Sequence, residues 1–165
     1  MMPITMNRAK LLVALGASLA LAACGDEAAA PETEAAPEGK VAGLEISDAR
    51  LVLPPVSGNP AAVYFDIAYD GERGISISGA EVEGAQSAAV HDMMEYNFEM
   101  TMAEAGPIAL TSGSELSFEP GALHVMAFDL EEGLEPGDTA EVTLKISGGA
   151  RHKFDAEVRA AGEER

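Results

Sequence analysis

Ala61-Ala62-Val63-Tyr64-Phe65-Asp66-Ile67-Ala68-Tyr69 carries large apolar residues at 63, 65, 67 and 69, every second position. A period of two is that of a β-strand with one face buried, because successive side chains leave the pleat on opposite sides. The same period returns at Leu116 and Phe118, at Ala140, Val142, Leu144 and Ile146, and at Phe154, Ala156 and Val158. No stretch shows a comparable helical period. Pro54-Pro55, Gly58-Asn59-Pro60, Asp70-Gly71, Gly106-Pro107, Pro120-Gly121, Pro136-Gly137 and Gly148-Gly149 are turn sequences, and they cut the region into about eight or nine strands. Short, regularly spaced strands with one apolar face predict an all-β domain, an antiparallel sandwich with Greek-key connections.

At 165 residues the chain has room for one such domain and appendages. Hydrophobic residues make up 47% of it, largely through alanine, and there is no tryptophan, so the core must rest on Val, Ile, Leu, Met and a few Phe. The formal net charge is -18. Nucleic-acid binding depends on lysine and arginine neutralising phosphates, so this charge argues against such a partner. It suits solubility in an extracytoplasmic medium and does not identify a ligand.

Upstream of the strands, Arg8 and Lys10 precede the apolar run Leu11-Leu12-Val13-Ala14-Leu15-Gly16-Ala17-Ser18-Leu19-Ala20. This is the layout of a secretory signal, too short for a settled membrane span. The run ends in Leu21-Ala22-Ala23-Cys24, which resembles the bacterial lipobox, so residues 1–23 are expected to be cleaved and Cys24 to carry the lipid. The cleavage removes Arg8 and Lys10 and no acidic residue, taking the charge from -18 to -20. Residues 24–40 are Ala, Glu, Pro and Gly with no large apolar side chain, and read as an extended tether to a membrane of the cell envelope. Residues 41–165 form the folded domain. Cys24 is the only cysteine; once acylated, it leaves no thiol for a disulfide, a blue-copper site or thiol redox chemistry.

Chemistry concentrates between His91 and Met126, which holds two of the three histidines and five of the eight methionines. His91-Asp92-Met93-Met94 is followed by Met100-Thr101-Met102 and then by His124-Val125-Met126. On a strand, His124 and Met126 project from one face. Imidazole with thioether is a soft, largely neutral ligand set that suits copper(I), not the hard-oxygen ions. Met93 alternates with His91 as Met126 does with His124, so ligand chemistry alone admits a symmetric site of two such arms.

The register H-x10-M-x21-H-x-M, from His91 through Met102 and His124 to Met126, resembles that of the PCu(A)C family of periplasmic copper(I) chaperones. The resemblance spans roughly residues 43–159 and includes Pro120-Gly121 and the strand around Tyr64. Ala103 stands where the family usually has arginine, and Ala122-Leu123 where it has glycine and an aromatic residue. The resemblance implies a cupredoxin-like sandwich and a copper(I) site of His91, Met102, His124 and Met126. Met93, Met94 and Met100, outside that register, are neighbouring thioethers that either assist transfer as auxiliary ligands or simply cover the site. It also implies delivery to the copper machinery of cytochrome c oxidase: its second subunit, with its dinuclear site, or the assembly factors. His152, in Arg151-His152-Lys153, lies outside the pattern and reads as a solvated residue near a strand end. Copper sequestration and a metal-free surface interaction module are the competing readings. An enzyme has little support, since no phosphate-binding loop, dinucleotide fingerprint or nucleophile elbow is present.

Overall fold

The structure, a computed structural model, describes residues 39–163. The expected signal segment 1–23, Cys24 and all of the expected tether except Gly39 and Lys40 lie outside the described residues. Ten strands follow one another: β1 (Leu44–Val52), β2 (Ala61–Tyr69), β3 (Ile75–Val82), β4 (Ala85–Tyr96), β5 (Glu99–Glu104), β6 (Ile108–Leu110), β7 (Ser114–Phe118), β8 (His124–Leu130), β9 (Thr139–Ile146) and β10 (Arg151–Arg159). There is no helix among the described residues.

The strands hydrogen-bond in the order β5-β4-β8-β2-β1-β10-β9-β3-β6, with β7 on the remaining length of β2. β3 and β4 are joined by a short turn and pack together although they stand far apart in that order, so the sheet folds over on itself. The residues that alternate in the sequence fill the space between the layers. Val63, Phe65 and Ile67 from β2, Phe118 from β7, Val142 and Leu144 from β9, and Phe154, Ala156 and Val158 from β10 are all buried. Phe65 stacks on Phe118 with ring centres 4.3 Å apart and meets Phe154 at 5.0 Å. Each such ring contributes about 2–3 kcal/mol by leaving water.

The all-β sandwich is as expected; two details differ. There are ten strands, because the three-residue β6 is too short to show a period. One pair, β1 with β10, is parallel, so the sheet is mixed and not purely antiparallel. β1 reaches this position through a bulge: its pairing with β2 steps from Ser47↔Asp66 to Arg50↔Tyr64, with one extra residue on β1 and Asp48 at φ 52°. Beyond the bulge Arg50, Leu51 and Val52 pair with β2 on one side and β10 on the other.

His152 corrects the sequence reading. It is 2% exposed, on the same side of β10 as Phe154, Ala156 and Val158. Its Nδ1 accepts the Val41 N–H at 3.1 Å, beside the bond from the Lys153 N–H to the Gly39 carbonyl. Burial, with a smaller contribution from Lys40, holds its pKa down to about 4.

Candidate metal centre

The register of three strands assembles the site. β4 and β8 pair so that His91 and His124 are direct partners, and β4 pairs with β5 so that Met93 faces Met102 and Glu95 faces Met100. Directly opposed residues share a face of the sheet and alternate residues return to it. His91, Met93, Met100, Met102, His124 and Met126 therefore lie on one face, with Val90 and Val125 buried on the other. Met94 takes the face opposite to the imidazoles and is 48% exposed.

Within that face the side chains are close. The imidazole centres of His91 and His124 are 6.0 Å apart. A metal–imidazole bond of about 2 Å places each ring centre roughly 3 Å from the ion, so two rings on one ion stand up to about 6 Å apart. Met102 Sδ lies 3.2 Å from His124 Nε2, and the other ring nitrogen, Nδ1, is 2.8 Å from the Ala122 carbonyl oxygen. A carbonyl only accepts, so in the neutral ring the proton sits on Nδ1 and Nε2 presents its lone pair to the thioether. Two electron-pair donors then face each other with no hydrogen between them. A soft cation placed between them would resolve that contact by accepting from both.

His91 adds a second unsatisfied donor. Its Nδ1 is buried without a hydrogen-bond partner, the one such side-chain nitrogen or oxygen among the described residues. A buried imidazole nitrogen left unpaired costs about 1–3 kcal/mol, a cost that coordination to a metal would remove. Burial holds the His91 pKa below its ordinary value; His124 adds to this and Glu104 opposes it. Low basicity keeps the ring neutral and able to ligate.

Three further side chains stand beside the imidazoles; the family resemblance marks the strand around Tyr64, and nothing in the sequence marks Arg50 or Phe128. The Tyr64 ring lies 6.3 Å from His124, the Arg50 guanidinium sits 5.4 Å over that Tyr64 ring, and Phe128 meets His91 edge-on at 6.0 Å. Tyr64 and Phe128 share the imidazoles' face of the sheet and flank the rings, and the Ala122 carbonyl holds His124 Nδ1. Parity also marks Tyr64, since it is the aromatic of β2 on the face opposite to Val63 and Phe65. The Ala122 carbonyl carries no side-chain signal at all.

Among the described residues no three His, Cys, Asp or Glu side chains come together as a metal cage. The candidate donors are two imidazoles and thioethers, on an open face with Met102 47% exposed. A cleft of about 450 Å³ between the segments 53–59 and 130–134 lies at the other end of β8 and holds no imidazole or thioether.

The chain matches known proteins over this domain. The model of the LpqE-like family, which is named for a lipoprotein, matches residues 44–158. A relative named as a lipoprotein, Lxx21020 of Leifsonia xyli subsp. xyli, is 31% identical over 121 residues, 73% of this chain and 72% of the relative. Among solved structures, the apo PCuAC domain from PmoF1 is 26% identical with a TM-score of 0.61, over 75% of this chain and 99% of that one. The copper-bound PCuAC domain from PmoF2 is 22% identical with a TM-score of 0.60, over 75% and 98%. The CuI form of DR1885 from Deinococcus radiodurans is 22% identical with a TM-score of 0.58, over 76% and 84%. The fold is thus the cupredoxin-like sandwich of these domains.

Proposed function

The chain belongs to the LpqE-like family, and from its likeness to PCuAC domains we propose that it is an extracytoplasmic copper(I) chaperone. His91, Met102, His124 and Met126 hold one copper(I), and the protein passes it to an acceptor without turnover chemistry. The observation that carries this reading is the 3.2 Å approach of Met102 Sδ to His124 Nε2 while Nδ1 is committed to the Ala122 carbonyl. The copper-bound state of the PmoF2 domain and the CuI state of DR1885 lend support. Two imidazoles and two thioethers bring no negative charge, so the ion keeps its single positive charge. It can then leave by stepwise ligand substitution. The open face suits handover to another protein. In this reading Cys24 carries the lipid, residues 24–40 tether the domain to an envelope membrane, and the acceptor is cytochrome c oxidase subunit II or one of its assembly factors.

Native mass spectrometry of the reduced protein with copper(I), competed by a chelator, tests the proposal. One copper per chain is expected, lost in His91→Ala/His124→Ala. Absence of stoichiometric copper would leave a metal-free interaction module. A deletion strain that fails only in excess copper, with normal oxidase activity when copper is scarce, would favour sequestration over delivery.

A further inference from the structure

β4 outruns its neighbour. Its pairing with β8 ends at His91↔His124, whereas its pairing with β5 continues through Tyr96↔Glu99. From Asp92 to Ala103 the β4–β5 hairpin is therefore an arm of two strands that no third strand flanks, closed by a two-residue turn at Asn97 and Phe98. The arm carries four of the chain's methionines, and Met94, Met100 and Met102 are 48%, 60% and 47% exposed. Three half-exposed thioethers on so short an arm contribute little to packing. Met102 belongs to the centre already described; the others have no use in it.

Register divides the remaining three. Met93 is the direct partner of Met102, and Met100 sits two residues before Met102 on β5, nearer the turn and on the same face. Diagonal positions on one face lie about 7–8 Å apart, within reach of long side chains. The flexible methionine side chain can turn its sulfur towards a shared point. Met94 has the same chemistry and similar exposure but the opposite face. The face holding the histidines thus continues outward as a row of thioethers, from Met102 to Met93 to Met100.

We propose that Met93 and Met100 form a second, weaker copper(I) station on this arm, through which the ion reaches and leaves the inner centre. The proposal rests on the chaperone reading and extends it outward. The step is ligand exchange: a bond from Met93 or Met100 sulfur to copper forms as a bond from the inner ligands breaks. Copper stays in the +1 state and no proton or electron moves. Two thioethers without imidazole hold the ion less firmly than the inner four ligands, and so make the station a transit point.

The test uses the mature chain, lipid included, in detergent micelles, with the methionine methyl groups labelled with carbon-13. Silver(I), a closed-shell monovalent ion of the same softness, is added stepwise and the methyl resonances are followed by NMR. The first equivalent should shift Met102 and Met126. The second should shift Met93 and Met100 and leave Met94 in place. Separately, Met100→Leu should slow copper(I) transfer to a competing chelator several-fold while the affinity of the inner centre for the first equivalent is unchanged, and Met94→Leu should alter neither. A first equivalent that bypasses Met102 and Met126 would overturn the chaperone reading itself. Normal first-equivalent binding, followed by no response at Met93 and Met100 or by an equal response at Met94, would overturn the outer station alone.

Discussion

Acidification should weaken this fold through His152, by an amount the structure sets. The ring is 2% exposed, and its pKa is about 4 in the folded chain against 6.5 in its ordinary state. Between those values the unfolded chain binds a proton that the folded chain refuses, so stability falls as pH falls. The contribution is fully present above about pH 6.5 and lost by about pH 4, with a total near 3 kcal/mol. From about pH 7 to about pH 5, above most carboxylate titration, His152 alone should remove about 2 kcal/mol. The proton would also take the lone pair that accepts the Val41 N–H, loosening the start of the domain from β10. His152→Asn is the control, since its side-chain oxygen can accept the same N–H near the Nδ1 position and does not titrate. Urea denaturation followed by far-UV circular dichroism at both pH values gives the two slopes. The wild type should lose about 2 kcal/mol more than His152→Asn over that interval; equal losses in the two proteins would refute the assignment.

Other expectations follow from particular residues. Asn97 and Phe98 both have positive φ, 53° and 66°, a turn that favours glycine at its second position. Phe98 is 96% exposed and packs on little, so Phe98→Gly should raise stability by up to about 1 kcal/mol in urea titrations; a loss would show that the ring has a partner. Gly43, at φ 76°, has backbone atoms of Gly71 2.6 and 2.7 Å from where a Cβ would stand. Gly43→Ala should therefore lower the denaturation midpoint clearly, and an unchanged midpoint would contradict that close approach. Met102→Leu and Met126→Leu should each weaken copper(I) retention against a chelator with stability changed by less than about 1.5 kcal/mol, and Met93→Leu should do much less; equal damage from Met93→Leu would reassign the third ligand. Cys24→Ser should release the folded domain from the membrane fraction, and persistent membrane association would remove the anchor.

Legibility in the sequence followed burial. β2, β9 and β10 each bury one face completely, and β7 buries Phe118 and part of Leu116, so alternation marks both the strands and the core. The β4–β5 arm buries no face, so His91-Asp92-Met93-Met94-Glu95 shows no clean period, and Asn97-Phe98 lacks the glycine that marks such turns. The parallel pairing of β1 with β10 joins segments from opposite ends of the domain, and no local pattern encodes it. His152 was legible in principle: counting back by twos from Val158 through Ala156 and Phe154 lands on it, but the charges of Arg151 and Lys153 suggested water. The candidate ligands were visible through family spacing. What spacing could not show is the cross-strand register that sets His91 opposite His124, or the Ala122 carbonyl that turns one imidazole nitrogen towards Met102.

X-ray absorption at the copper edge on the anaerobically loaded mature chain bears most directly on the central claim. The account predicts copper in the +1 state with two imidazole nitrogens and two thioether sulfurs, one sulfur disappearing in Met102→Leu and one in Met126→Leu. A shell of nitrogen and oxygen alone, or one that keeps both sulfurs in those variants, would contradict it.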